Sequence, residues 1–175
     1  MLAEGRRALL LVLLASAALP AAAQAPGPGP AGVSVRGDVL RPLQLGREEL
    51  AAFAADEQAS TSVLRRVAGQ ERQTTARGVR LRALLARAGL AERDRLDWRK
   101  TVVIVSASDG YRVVFSWPEL ENTEAGAQVL VLYERDGAPL PASEGPLALL
   151  AAADLRPGPR HVKWLSTVEV RILRE

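Results

Sequence analysis

The sequence predicts an α+β domain built around a mixed β-sheet with two or three short helices. Several short segments alternate apolar and polar residues with the period of two that is typical of strands. Two Asp-Gly pairs, at 109–110 and 136–137, indicate tight turns between strands. Only a few segments show apolar residues at helical spacing, and the clearest of them is 81–88. Many strands with so few helices favour the α+β class.

The N-terminal region has the three parts of a signal peptide. Arg6 and Arg7 form a basic start, an apolar run follows over 8–19, and Ala21-Ala22-Ala23 is a small-residue cleavage site. The apolar run is too short to span a membrane comfortably, because a spanning helix needs about 20 residues. We therefore expect cleavage near Ala23 and a periplasmic or secreted protein with no transmembrane segment in the mature chain.

The remaining chain divides into a linker and one domain. Residues 1–23 are the expected signal peptide, residues 24–32 are a Pro/Gly linker, and residues 33–175 form the domain. The net charge is only +3 at pH 7, with acidic residues interleaved among the basic ones, so a nucleic-acid partner is not expected. The chain contains no cysteine, so burial of apolar residues must stabilise it without disulfides.

The first half of the domain is expected to contain three strands and two helices. Residues 33–39 alternate as a first strand, and 47–55 form a short helix that buries Leu50 and Phe53. The segment 60–77 is interpreted as two strands joined near Gly69. The second helix is indicated by apolar residues at i, i+3, i+4 and i+7, followed by a glycine in the position of a C-terminal cap: Leu81, Leu84, Leu85, Ala88 and Gly89.

The second half is expected to be mostly strand. The segments 101–108 and 111–117 flank Asp109-Gly110 as a hairpin with a type I′ turn. A strand is predicted over 128–135 and ends at Asp136-Gly137. The strand that pairs with it is left undetermined, because the prolines that follow cannot donate backbone hydrogen bonds. Ser116 and Glu119 fit a capping box that opens one helical turn. The last strands are predicted at 147–151 and 167–173.

Five segments occur in an order that resembles a known family. They are Arg77–Leu85, Ser106–Tyr111, Asp136–Leu140, Gly145–Leu147 and Val162–Leu165. Together they are similar to the oxidoreductase molybdopterin-binding domain family, which has the sulfite-oxidase-like fold, in a short single-domain and cysteine-less version. The resemblance covers roughly 33–175 and implies a mixed, barrel-like sheet. It also makes molybdopterin the cofactor to consider, although no bound cofactor is expected.

The resemblance implies a metal ligand that this chain does not contain. In the family's active enzymes a cysteine thiolate ligates molybdenum, and it would fall within 67–75, where hydroxyl and amide side chains stand instead. Hydroxyls and amides are poor ligands for a soft oxo-molybdenum centre. The arginine that commonly follows the Gly-Pro-Leu motif is Ala148 here. No metal ligand and no catalytic residue are therefore predicted, and Glu119, Glu121 and Glu124 are interpreted as a solvated face.

The candidate ligand-binding residues are Arg160, His161 and Lys163. They make a compact cationic segment, which either protects an edge strand by charge or forms an anion pocket. The resemblance adds weight to the pocket, because cationic residues in this stretch of the family help to hold the pterin's phosphate, and both alternatives stay open. Tyr111 is a weaker candidate, which either lines the pocket or packs across its hairpin.

Three functions fit these observations. The preferred hypothesis is a non-catalytic ligand-binding or accessory module, with a small anionic or pterin-like ligand. The second is a molybdopterin-dependent oxidoreductase that binds its cofactor without cysteine, which requires a buried cationic pocket. The third is a structural partner of an envelope protein complex, which predicts an exposed apolar patch. Sulfite oxidation is not assigned.

Overall fold

The structure is a computed structural model that describes residues 31–67 and 69–174. The expected signal peptide and nearly all of the expected linker lie outside these residues. In the described ranges, none of the helices has the length and apolarity needed to cross a membrane.

Three short helices and eleven strands make up the described chain. The first half contains β1 (Gly32–Gly37), β2 (Leu43–Gly46), α1 (Arg47–Ala51), β3 (Gln58–Val67), β4 (Gln70–Arg80) and α2 (Leu81–Ala88). The second half contains β5 (Thr101–Ala107), β6 (Arg112–Ser116), α3 (Trp117–Asn122), β7 (Val129–Arg135), β8 (Ala138–Pro139), β9 (Ala148–Ala151), β10 (His161–Val162) and β11 (Leu165–Ile172). This arrangement confirms the predicted α+β class.

The strands form two sheets. The first has the order β2-β1-β11-β5-β6, and it is mixed because β1 pairs with β11 in parallel while the other pairs are antiparallel. The second has the order β10-β9-β7-β4-β3, with β8 attached to β7, and all its pairs are antiparallel. β3 is therefore an edge strand of the second sheet.

Two apolar clusters stabilise these sheets. The main core includes residues from both sheets and the buried face of α2, such as Val105, Val131 and Leu84. A second, smaller cluster lies on the other face of the second sheet and includes Leu132 and Leu150. Because β7 contributes to both clusters, it is buried on both faces. The second cluster consists of Ala76, Leu130, Leu132, Leu140, Ala148 and Leu150, with Ala59, Val63 and Ala152 packed against it.

The helices largely follow the sequence pattern. α2 covers the predicted residues, and Gly89 follows it with a φ of 67°. Leu50 and Phe53 are buried as expected, although α1 itself ends at Ala51. The capping box at α3 is only half formed: Ser116 Oγ accepts from the Glu119 amide at 3.1 Å, but the Glu119 carboxylate binds Arg160 instead of the cap amide.

The two Asp-Gly turns differ from each other, and one prediction was wrong. A type I′ turn requires a positive φ at both central residues. Gly110 has a φ of 93°, but the φ of Asp109 is not positive, so this turn is not type I′. Asp109 instead accepts a hydrogen bond from the Tyr111 amide at 2.9 Å. Asp136 and Gly137 both have positive φ, 50° and 78°, as a type I′ turn requires. That turn joins β7 to the two-residue strand β8, and the two strands pair with each other. β8 is therefore the pairing partner that the sequence analysis left undetermined.

Candidate functional site

A groove opens beside the second apolar cluster. It consists of two adjoining cavities of about 360 and 300 Å³, which share Val63, Leu64, Leu150 and Pro157. The first cavity extends along β3 toward Thr61, and the second extends toward His161 and Lys163. The groove is lined by Thr61, Ser62, Val63, Leu64, Leu150, Ala152, Pro157, Gly158, His161 and Lys163.

The groove follows the open edge of β3. Alternate side chains of a strand point to opposite faces, so a cavity that touches four consecutive residues must lie along the strand's edge. The first cavity touches the consecutive residues 61–64. The other edge of β3 pairs with β4 over its whole length, so the groove lies on the unpaired side. β3 therefore forms one wall, and the segment from Pro157 to Lys163 forms the opposite wall at one end.

Arg160 does not contribute its charge to the groove. Its Nε donates to Asp154 Oδ2 and its Nη1 to Glu119 Oε1, both at 2.7 Å, and its guanidinium lies 4.7 Å from the centre of the Phe115 ring. The hydrogen bond from Arg160 is the main reason that the pKa of Asp154 lies below its usual range. Two carboxylates thus neutralise this guanidinium, which does not line either cavity.

His161 and Lys163 do line the groove, at the same end. The Nε2 atom of His161 is buried and lies 3.6 Å from Glu144 Oε2, too far for a hydrogen bond. Among residues 31–67 and 69–174, no carboxylate forms an ion pair with Lys163. The structure therefore brings two of the three predicted cations together, and Lys163 is the one whose charge is available to a ligand.

Tyr111 lies away from the groove. Its side chain is 46% exposed, and its hydroxyl donates to the Pro159 carbonyl at 2.6 Å. This bond ties the turn between β5 and β6 to the 158–160 turn, which directly precedes His161. Tyr111 thus binds the segment that forms one wall of the groove without lining the groove itself.

A buried polar cluster lies behind His161, and sequence reasoning missed it. Arg135 Nη2 donates to Glu144 Oε2 at 2.7 Å, and Arg135 Nη1 donates to Thr74 Oγ1 at 3.1 Å. The side chain of Arg135 is 7% exposed, and that of Glu144 is fully buried. A register shift where β4 pairs with β7 places Arg135 opposite Ala76, on the face of the second cluster. Strict alternation along β7 gives no sign of this shift.

The groove and its surroundings do not fit the metal ligands that the resemblance implies. The chain has no cysteine, and the residues that the structure describes contain no group of three His, Asp or Glu side chains able to hold a metal. Within 67–75, where the family cysteine is expected, Thr74 is buried and already bonded, since its hydroxyl donates to the Val63 carbonyl at 3.2 Å. Ala68 lies outside the described residues. The described residues thus include no thiolate or thioether ligand for oxo-molybdenum.

Comparison with known proteins agrees with the two-sheet α+β fold. The family model for the oxidoreductase molybdopterin-binding domain matches residues 31–173, and the chain belongs to this family. Among solved structures, the sulfane dehydrogenase SoxCD from Paracoccus pantotrophus is similar, with a TM-score of 0.60 and 19% identity. That match covers 81% of this chain but only 38% of the SoxCD chain, so it supports the fold alone. No curated protein matches.

Proposed function

We propose that this chain is a non-catalytic ligand-binding module of the molybdopterin-binding family that has lost molybdenum ligation. The observation that carries the proposal is the groove between β3 and the segment 157–163. It combines an apolar lining, chiefly Val63, Leu64 and Leu150, with the unpaired cation Lys163 at one end. Sites of this kind bind ligands through apolar contact and use a few polar groups to orient them.

The chemistry of the groove defines the class of ligand. An apolar body would cover Leu64, which is 71% exposed, and an anionic group would meet Lys163. An ammonium group is a point charge without the fork geometry of arginine, so it accepts carboxylate, sulfonate or phosphate equally. The proposed ligand is therefore an amphiphilic anion.

The alternative, an oxidoreductase that binds molybdopterin without cysteine, receives less support. That function needs several converging cations for the pterin phosphate, whereas Arg160 is held by Asp154 and Glu119. It also needs a ligand for the metal, and Thr74 is a hydrogen-bonded hydroxyl. The family membership alone favours the cofactor.

The first experiment separates these two functions. The protein is purified from a host that makes and exports the cofactor, and molybdenum content is measured together with pterin fluorescence. We expect neither above background. Near-stoichiometric molybdenum and pterin would make the chain an oxidoreductase with an unusual ligand set, and the proposal would be wrong.

The second experiment tests the groove directly. The probe is anilinonaphthalene sulfonate, which joins an apolar body to an anionic group, and binding is followed by fluorescence on the folded protein. We expect Lys163→Ala and Leu64→Ser to weaken binding by about tenfold each, the equivalent of about 1.4 kcal/mol. Lys100→Ala and Leu40→Ser are matched controls, because Lys100 is paired with Asp97 and Leu40 is similarly exposed outside the groove. Equal loss in the controls would contradict the site.

We also propose that the module acts outside the cytoplasm. The support is the sequence pattern of 1–23, with its basic start, short apolar run and small-residue cleavage site. The test is mass spectrometry of the protein from the periplasmic fraction of the expression host. A mature form that begins near Gln24 is expected, and an uncleaved cytoplasmic form would refute export.

A further inference from the structure

We propose that the groove's ligand is an extended acidic peptide, which adds as a strand to the open edge of β3 and places a carboxylate at Lys163. This inference rests on the proposed function and specifies its ligand. It requires three features of the groove: backbone groups that point into it, an edge that lacks the usual protection against pairing, and a cation at a suitable end.

The backbone groups are identified by the register of the hairpin. The Arg80 amide donates to the Glu57 carbonyl at 2.9 Å, and the pairing continues from Gln58 opposite Val79. In antiparallel pairs, hydrogen-bonded and non-bonded positions alternate. Odd-numbered residues of β3 therefore bond to β4, whereas Ser60, Ser62 and Leu64 direct their N–H and C=O groups to the open edge. Within the described part of the chain, no backbone group donates to or accepts from these three positions on that side.

The start of the same edge is already capped. Arg80 Nη1 donates to the Gln58 carbonyl at 2.8 Å and also contacts the Asp56 carbonyl. The available part of the edge thus begins at Ser60, and it overlaps the residues that line the groove, 61–64. The chain itself closes the edge outside the groove and leaves it open inside.

The segment 58–64 of β3 has none of the features that normally block strand addition. Natural edge strands carry charges, prolines or bulges, or are very short. The segment 58–64 contains no charged residue and no proline, and its pairing with β4 has no bulge. The other edge strands are protected by their length or charge, since β2 and β10 have four and two residues and β6 carries Arg112. The residues 60–64 therefore form an uncharged, proline-free stretch of open edge, which ends where Arg65 and Arg66 follow in the same strand.

The remaining walls favour an extended peptide over a compact ligand. A strand beside β3 would turn alternate side chains toward Leu150 and Pro157, and the other side chains toward solvent. Its end would lie near Lys163, which has no carboxylate partner among the described residues. Strand addition derives affinity from main-chain hydrogen bonds and specificity from alternate pockets and charge. Charge complementarity at Lys163 selects an acidic segment.

The test uses the full chain and a short fluorescein-labelled peptide of alternating valine and threonine with a C-terminal aspartate. Binding is measured by fluorescence anisotropy. We expect a control peptide with alternate amides N-methylated to bind at least about tenfold more weakly, because each lost hydrogen bond costs about 1 kcal/mol. Ser62→Pro, compared with Ser62→Ala, is expected to weaken binding about threefold to tenfold through loss of a single N–H donor.

The carboxylate contact is tested by a double-mutant cycle. Lys163→Ala and replacement of the peptide's aspartate by asparagine should each weaken binding, and the two changes together should weaken it no more than either alone. A peptide that binds equally well with N-methylated amides is not adding as a strand, and this inference would then be wrong. If anilinonaphthalene sulfonate binds through Lys163 but no peptide binds, the proposed function stands and the peptide inference fails. Failure of both probes rejects both.

Discussion

Arg160 and Lys163 are three positions apart in the sequence, yet their charged groups lie in different surroundings. Arg160 binds Asp154 and Glu119, while Lys163 faces the groove. The difference arises because Arg160, at the end of the 158–160 turn, lies beside the N-terminal end of α3. The Glu119 carboxylate at that end binds Arg160 instead of the cap amide. A cationic segment in a sequence thus does not by itself define a cationic pocket.

The pairing of Arg160 makes a prediction about pH. The folded-state pKa of Asp154 is lowered, so its contribution to stability is present above the unfolded pKa, near 4, and is lost as the pH falls through the folded value. Asp154→Asn should lower the free energy of unfolding by about 1 to 2 kcal/mol at pH 7. The difference in the free energy of unfolding between the variant and the wild type should disappear in acid. Urea titrations at several pH values measure it, and a gap that persists in strong acid would contradict this account.

The buried pair of Arg135 and Glu144 makes a second prediction at this scale. Arg135→Met removes the guanidinium that donates to the buried Glu144 carboxylate, which should cost about 3 to 5 kcal/mol of stability. Arg135→Met combined with Glu144→Met should recover much of that loss, because two apolar side chains need no compensation. Chemical denaturation of the three proteins measures both effects. A single variant as stable as the wild type would show that the pair is not buried as described.

At the scale of elements, local signals explain which predictions were confirmed. Helix α2 follows from the spacing of its leucines and from the glycine after it, and the hairpin of β5 and β6 follows from alternation around a turn. Both depend on residues that are close in sequence. The Arg135 cluster depends on a register shift between β4 and β7. The groove depends on two segments that are almost 100 residues apart in the sequence. Periodicity contains no information about such pairings, so they could not be predicted.

The end of α2 gives a third prediction. Gly89 has a φ of 67°, and a Cβ atom there would lie 3.2 Å from Leu40 Cδ1. Gly89→Ala should therefore cost about 1 to 3 kcal/mol, since a positive φ combined with a ψ of 139° is a conformation that residues with a Cβ rarely adopt. Gly158→Ala is the matched control, because its Cβ would meet no atom within 4 Å and its φ is not positive. Thermal melts of both variants compare their melting temperatures. Equal melting temperatures would show that position 89 does not require glycine.

At the scale of the whole molecule, β11 connects the two halves of the first sheet. It lies between β1 and β5, parallel to the former and antiparallel to the latter, and its Val168 and Val170 are fully buried. A variant truncated after Arg160 should lose cooperative unfolding entirely. A variant that lacks 1–30 should keep it, because the core of the described chain is built from residues within 33–172. Circular dichroism during thermal unfolding measures both, and a cooperative transition in the first variant would contradict the central role of β11.

The position of β11 also determines when the molecule can fold. The chain emerges from the ribosome with its N-terminus first, but β1 finds its parallel partner only when residues 165–172 have been made. Until then, β1 and β5 have no strand between them, and the first sheet consists of two separate hairpins. Long-range pairing of this kind delays folding relative to synthesis. The first sheet therefore cannot be completed before residues 165–172 have been made, whereas every strand of the second sheet precedes that point in the chain.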